Sequence, residues 1–236
     1  MRPTIPAKID RRRHYILVLD TETCNTISIN GKLDMSNVLF YDCGGAVIDT
    51  HANIYSAFSF VNSDIYLDEK ALMQSAYYAN KLPQYEEDLR TGKRTLATTR
   101  TIHKSIYDLL KAFEITEVCA HNARFDKNAL DVTQRYVTKS AYRFFLPYGI
   151  TWWDTMKMAK DVIWKMPTFK RFCEENNYFT PTGKYKCTAE VLYRFIPKDN
   201  SFDENHTGLE DVLIEKEILA YCFRQHKSMR KGLYEK

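Results

Sequence analysis

The chain has 236 residues, 44% of them hydrophobic, which suits one elaborated α/β domain with a sizeable core rather than two full domains. A net charge of +4 is too mild to establish a nucleic-acid partner by itself. No apolar run approaches a membrane span and the N-terminal segment has no apolar signal core, which excludes a membrane partner and predicts a soluble, cytoplasmic protein.

The first element in chain order follows a basic segment, residues 1–13, that contains Arg11, Arg12 and Arg13. Tyr15 to Asp20 reads YILVLD, a continuous apolar run of the kind found in a strand buried on both faces. A second strand is predicted within Asn37 to Ile48, interrupted at Gly44-Gly45, and a third over Asn53 to Val61 after a turn at Asp49 to Ala52. Short links between three strands predict an antiparallel meander. Asp68 to Leu89 reads as helix broken at Pro83, and Thr91 to Arg94 as a turn. Ile102, Ile106, Leu109, Leu110 and Phe113 recur at helical spacing. Glu117 to Ala120 is then a short strand, Ala123 to Tyr136 a helix, and Thr138 to Gly149 an aromatic connection. Thr151 to Trp153 is a fifth strand. Helices are predicted over Asp154 to Trp164, Thr168 to Asn177 and Thr188 to Phe195. In Thr207-Gly208-Leu209-Glu210 a capping box opens the last helix, with Thr and Glu satisfying each other's backbone donors. A basic tail, 227–236, follows. Strand and helix alternate after the meander, as in parallel crossovers. The basic ends either hold a phosphate backbone or are solvated. The six cysteines form no CxxC pair, so they read as buried free thiols; Cys173, Cys187 and His206 match no short zinc module.

Three groups of acids stand out. Asp20 and Glu22 close the first strand two residues apart, so both side chains leave the same face. Two carboxylates together at a sheet's end are costly unless a cation joins them. Asp126 follows the fourth strand in the run His121-Asn122-Ala123-Arg124-Phe125-Asp126, where Asn122 is suited to cap a helix carrying Asp126 in its first turn. His206 and Asp211 lie five apart, about 140° around a continuous helix at about 100° per residue. They do not share a face, but a cap at Thr207 leaves His206 ahead of the helix and Asp211 inside it. A histidine beside a fixed acid suits proton transfer.

The ordered set DTE, HNARFD and HTGLED resembles the three exonuclease motifs of the DnaQ-like DEDD superfamily, D-x-E, N-x-x-F-D and H-x-x-x-x-D, from about Tyr15 to Gln225. A histidine five residues before the last acid selects the DEDDh branch. The resemblance implies an α/β, ribonuclease-H-like mixed sheet with three antiparallel strands, then parallel crossovers, flanked by helices, the exonuclease domain spanning 14–226. It implies a 3′→5′ exonuclease releasing nucleoside 5′-monophosphates. Asp20, Glu22, Asp126 and Asp211 would bind two Mg²⁺ or Mn²⁺ ions, hard cations that prefer oxygen ligands, and His206 would be the general base. Thr21, Thr23, Asn122 and Phe125 would contact the terminal nucleotide. The His-Gly pair common after the third strand in proofreading members is replaced here by Met73-Gln74-Ser75-Ala76-Tyr77.

The implied partner is DNA, single-stranded with a free 3′ end, in replication, proofreading or end processing, with a DNA polymerase as a further partner. Three alternatives stay open: an RNA-trimming exoribonuclease of the same superfamily, a non-catalytic nucleic-acid or polymerase-binding subunit, and a ribonuclease-H-like endonuclease. The phosphodiester chemistry does not separate DNA from RNA.

Overall fold

The computed structural model describes residues 1–26, 30, 34–74, 76, 79–203 and 206–235. The strands β1 (Ile16–Cys24), β2 (Leu39–Ile48), β3 (Ile54–Asn62), β4 (Thr95–Ala97), β5 (Glu117–Ala120) and β6 (Thr151–Asp154) form one sheet in the order β4-β3-β2-β1-β5-β6. The pairs β1–β2 and β2–β3 are antiparallel, and β3–β4, β1–β5 and β5–β6 are parallel. This is the mixed α/β sheet expected, with a meander followed by crossovers. The helices are α1 (Ser63–Tyr66), α2 (Lys70–Gln74), α3 (Leu82–Arg90), α4 (Thr99–Ala112), α5 (Arg124–Thr138), α6 (Thr155–Val162), α7 (Pro167–Glu175), α8 (Ala189–Phe195) and α9 (Gly208–Arg224).

Alternation along β1 sorts the layers. Leu17 and Leu19 join a core with Val47, Phe58 and Phe60 under α4 and α5, including Ile106 and Leu130. Ile16 and Val18 join a second core with Ala46 and Ile48 under α6 to α9, including Met158, Phe169, Leu192 and Leu219. Successive side chains of a strand point to opposite faces, so Asp20 continues the α9 side and Thr21 the α5 side.

Several elements differ from expectation. β1 runs four residues past its apolar segment, because β2 is long enough to pair with it through Cys24↔Leu39 after a bulge at Glu22/Thr23. Gly44 and Gly45 do not interrupt β2, which is continuous and buried throughout. β4 lies just beyond the turn at 91–94 and, at three residues, is too short to leave a period in the sequence. Pro83 opens α3 instead of breaking a helix, and Pro167 opens α7; in a first turn proline's missing N–H has no partner to lose. Part of the Met73–Tyr77 stretch, namely Ser75 and Tyr77, lies outside the described residues. The five described arginine pairs at the chain ends are internal: Arg11 with Glu114 at 2.7 Å, Arg12 with Asp10 at 3.0 Å, Arg13 with Asp10 at 3.6 Å and Asp49 at 3.3 Å, and Arg230 with Asp161 at 2.8 Å. All six cysteines are free and five are buried. No helix among the described residues is long and apolar enough to cross a membrane.

The two glycines of β2 have separate uses. Phe58, cross-strand from Gly45, lays its ring where a Cβ would stand, at 2.2 Å. A Cβ on Gly44 would meet the backbone of α9 at 2.1 Å from Leu209 N and 2.2 Å from Gly208 C. A Cβ on Gly208 would likewise meet Gly44 N at 2.6 Å. Backbone cannot move aside as a side-chain tip can. Gly44→Ala is therefore expected to cost about 3 kcal/mol, lowering Tm by about 6–12 °C for a chain of this size. A thermal melt unchanged from wild type would show that α9 does not depend on this contact.

Candidate active site

The carboxyl ends of β1, β5 and β6 lie side by side, and the acids gather there. Asp20 and Glu22 leave β1 on the α9 side, and Asp211 enters from the first turn of α9. One carboxylate oxygen from each of the three lies within 4.8 Å of the others. Asp126, in the first turn of α5, reaches the same strand end from the other layer. Its Oδ1 accepts from the Thr21 amide at 3.0 Å and the Thr21 hydroxyl at 2.8 Å. So the structure brings three of the four expected acids into one cluster and holds the fourth behind β1.

The electrostatics show what the cluster lacks. Burial, reinforced by Asp126, Glu215, Asp211 and Glu22, pushes the Asp20 carboxyl well above the usual range. Burial also raises Glu22, with Asp211 and Asp42 adding to it. Asp126 is raised by burial to about 7, although the two Thr21 hydrogen bonds oppose the shift. Asp20 Oδ2 is buried without a hydrogen-bond partner. Crowded, desolvated carboxylates of this kind need a positive charge to remain ionised. An all-oxygen donor set fits a hard divalent cation, so Asp20, Glu22 and Asp211, with Asp126 beside them, could hold one. Among the described residues this is the one grouping of at least three metal-ligating side chains; Cys173, Cys187 and His206 do not form another.

No protein-family model matches the chain, and no curated protein matches it by sequence. Solved structures match it in fold. The nuclease domain of 3′hExo, a DEDDh family member bound to rAMP, superposes with a TM-score of 0.57 at 14% identity, covering 94% of this chain and 98% of that one. A 3′-exonuclease in 3′-end-specific recognition of a histone mRNA stem-loop gives 0.59 at 13% identity, covering 93% and 85%. A zinc-bound E. coli ExoI–ssDNA complex gives 0.50 at 16% identity, covering 91% of this chain and 41% of that one. The chain has the fold of the DEDDh 3′-exonucleases.

Within that exonuclease fold, α9 is fixed by groups the sequence did not mark. The expected capping box does not form. Thr207 is the N-cap by backbone conformation, but its hydroxyl donates to Glu210 Oε2 at 2.6 Å and makes no cap bond. Glu210 is drawn away by Lys93 at 2.9 Å and Arg94 at 3.0 Å; despite burial, the Thr207 hydrogen bond, then Lys93 and Arg94, hold its carboxyl down at about 2. The first helical amide, Gly208 N–H, instead donates to Asp42 Oδ2 at 3.0 Å. Asp42 sits opposite Glu22 on β2 and is fully buried. It also accepts from Tyr85 Oη at 2.7 Å and Arg94 Nη1 at 3.0 Å. Arg94, 2% exposed, further binds Asp88 at 3.0 Å and lies over the Tyr85 ring.

The second motif is also held differently from expectation. Asn122 is exposed, at φ +64°, and Ala123 is the N-cap of α5. The Asn122 amide donates to Asp154 Oδ1 at 3.2 Å. Asp154 caps α6 through Met156 N–H and Lys157 N–H, and its charge also contributes to raising Asp126. It thus caps a helix and approaches the site at once. His121 places its ring between Thr155 Oγ1 at 2.9 Å and the Cys187 carbonyl at 3.1 Å. Burial lowers its pKa to about 4, so the ring is a neutral strut. Its amide donates to Glu215 Oε1 at 3.2 Å. Glu215, buried on α9, is a further acid near Asp20; its spacing of four from Asp211, one helical turn, was the signal that could have found it. Phe125 packs half-buried against the α5-side core, and Thr23 is buried in β1. His206 stands half-buried just ahead of α9 at φ +46°, and burial, then Lys81, lowers its pKa.

Raised carboxylates tie stability to pH. Asp20, Glu22 and Asp126 all bind a proton more readily in the folded chain than unfolded, where carboxyls titrate at about 4. Their contribution favours the fold below about pH 4 and is lost as pH rises through their raised folded values, about 7 for Asp126. In EDTA, Tm is expected to fall between about pH 5 and about pH 8. Asp20→Asn should lessen that fall, and Mn²⁺ should raise the wild-type Tm while raising that of the variant far less. A wild-type melt indifferent to both pH and Mn²⁺ would reject a cation site here.

Proposed function

We propose that the chain is a 3′→5′ exonuclease that hydrolyses the terminal phosphodiester of a single-stranded nucleic acid and releases a nucleoside 5′-monophosphate. The observation that carries this reading is the convergence of Asp20, Glu22 and Asp211 within 4.8 Å, with Asp126 behind Thr21, at the sheet end of a fold shared with 3′-exonucleases. Two Mg²⁺ or Mn²⁺ ions held by these acids would supply the positive charge that neutralises the phosphate and acidifies the attacking water. Asp20 and Glu22, fixed on β1, and Asp211, fixed on α9, would hold that charge in place. Thr21 orients Asp126. His206 accepts the proton of the attacking water; its lowered pKa keeps the imidazole neutral, and so basic, at neutral pH. The water oxygen bonds to phosphorus, the bond from phosphorus to the 3′ oxygen breaks, and that oxygen takes a proton from solvent water. Thr23, Asn122 and Phe125 flank the terminal nucleotide.

DNA is the substrate of this reading, in replication, proofreading or end processing. The second reading, an exoribonuclease, is favoured by the RNA-related solved structures: one neighbour carries rAMP and another recognises an mRNA stem-loop, whereas the third binds single-stranded DNA. Digestion of 3′- and 5′-labelled oligonucleotides, DNA beside RNA, decides between them. Loss of label is expected to begin at an unblocked 3′ end, to require Mg²⁺ or Mn²⁺, and to cease in EDTA and in Asp20→Ala or Asp211→Ala. Digestion from the 5′ end, or in chelator, would reject the reading.

His206→Ala should lower the rate by about 10²–10⁴-fold, the usual contribution of a general base, with nucleic-acid binding near wild type. At saturating metal the wild-type rate should rise with pH to a plateau whose midpoint lies below about 6.5, and the variant should lose that rise. Unimpaired turnover by a folded His206→Ala protein would remove the histidine from the reaction.

A further inference from the structure

Beside the carboxylate end, along the outer side of α6, lies a cavity of about 620 Å³. Its charged lining is Lys160, Lys165, Lys184, Lys186 and Arg230 against the single acid Asp161. Asp161 holds Arg230 at 2.8 Å and Lys165 at 3.1 Å, so those two charges are partly neutralised. Lys184 and Lys186 meet no carboxylate among the described residues and stand on the loop facing α6. The same cavity is lined by Trp164 and Tyr185, whose rings meet edge to face at 6.3 Å. Trp164 Nε1 donates to the Tyr185 carbonyl at 3.2 Å, which fixes the indole.

The groove is joined to the active site by one residue. Cys187 lines it, and the Cys187 carbonyl takes the hydrogen bond from His121. His121 in turn holds Thr155 at the start of α6 and gives its amide to Glu215. The groove therefore begins where the carboxylate rim ends and runs down α6 from Met156, about 9 Å to Val162 at about 1.5 Å per residue, and ends at Trp164 just beyond the helix.

We propose that this groove binds internal nucleotides of the substrate strand, upstream of the 3′-terminal one that the carboxylates hold. Cations spread over two facing segments suit successive backbone phosphates rather than one anion. An aromatic pair beside them offers ring surface to any base, the combination by which single strands are bound without sequence preference. The proposal rests on the exonuclease reading for the direction of the strand, and it makes the enzyme selective for length.

The test separates the two ideas by measuring binding without catalysis. Fluorescence anisotropy of a labelled ten-nucleotide DNA strand in EDTA reads the groove alone. The double variant Lys184→Ala/Lys186→Ala is expected to raise Kd about tenfold at low salt and to lower the slope of log Kd against log salt by about 0.7 per lysine. Trp164→Ala is expected to raise Kd about tenfold with the slope unchanged. Because Trp164 is half-buried, the lysine pair, exposed at Lys184 and half-buried at Lys186, decides if that variant misfolds. With Mn²⁺ present, the lysine variant should raise KM for the ten-nucleotide strand and leave its kcat, and all parameters for a dinucleotide, at wild-type values. Unchanged Kd and slope, an equal loss on the dinucleotide, or displacement of the strand by an equimolar mononucleotide would overturn the proposal, the last in favour of a product site. A wild-type chain that binds the strand but digests none would overturn the exonuclease reading, while the lysine variant's Kd would still decide the groove.

Discussion

The site depends on one place where two backbones touch. Gly44 of β2 and Gly208 of α9 leave no room for a side chain between them, and the Gly208 amide is tied to Asp42 on the same strand. Because Gly44 pairs with Asp20 and Asp42 pairs with Glu22, this contact sets the helix start directly beside the two acids of β1. Asp211, three residues into the helix, is then delivered to them. A wider separation would leave a helix carboxylate and two strand carboxylates too distant to share a cation. The positive end of the helix dipole also faces Asp42, which suits a buried carboxylate.

The buried ion network around Asp42 follows from the same contact. A carboxylate sealed in a sheet is costly unless compensated, and burial does raise Asp42. Arg94, Tyr85 and the helix amide offset that cost, and Arg94 is drawn to the centre by three acids, Asp42, Asp88 and Glu210. The turn carrying Arg94, which leads into β4, is therefore part of the support for α9. On the other layer, Thr21 does for Asp126 what Asp42 does for Gly208: a fixed strand atom meets the first turn of a helix. Both helix-borne acids are thus positioned through β1 and β2 rather than through loops.

Much of this was legible in the chain. The apolar run at Ile16 to Leu19 and the i, i+2 spacing of Asp20 and Glu22 placed the strand and its acids, because strand periodicity is local. The helical face from Ile102 to Phe113 was legible for the same reason. What was hidden depends on distant partners. Gly44 reads as a strand breaker until the helix that occupies its missing side chain is known. Thr207 and Glu210 have the spacing of a capping box, yet Arg94 and Lys93, more than a hundred residues earlier, claim the glutamate. Asn122 has the chemistry of a cap, but its backbone turns into the left-handed region and its amide is spent on Asp154. Pro83 and Pro167 signal a helix boundary correctly; which side of the boundary they occupy is set by where the neighbouring chain packs.

The segment after α9 has a consequence for the sheet as a whole. Leu233 N–H donates to the Trp152 carbonyl at 2.8 Å, and the Asp154 amide donates to the Lys231 carbonyl at 2.9 Å, so this stretch lies antiparallel along the outer side of β6. Lys157 clasps it through the carbonyls of Leu233 and Glu235 at 2.6 and 2.9 Å. β6 is the last strand of the sheet, and an uncovered last strand presents a row of unpaired amides and carbonyls on which another chain can add. Here the Trp152 carbonyl and the Asp154 amide are already taken by Leu233 and Lys231. The covering stretch thus acts as a guard against strand-to-strand addition at this margin of the sheet.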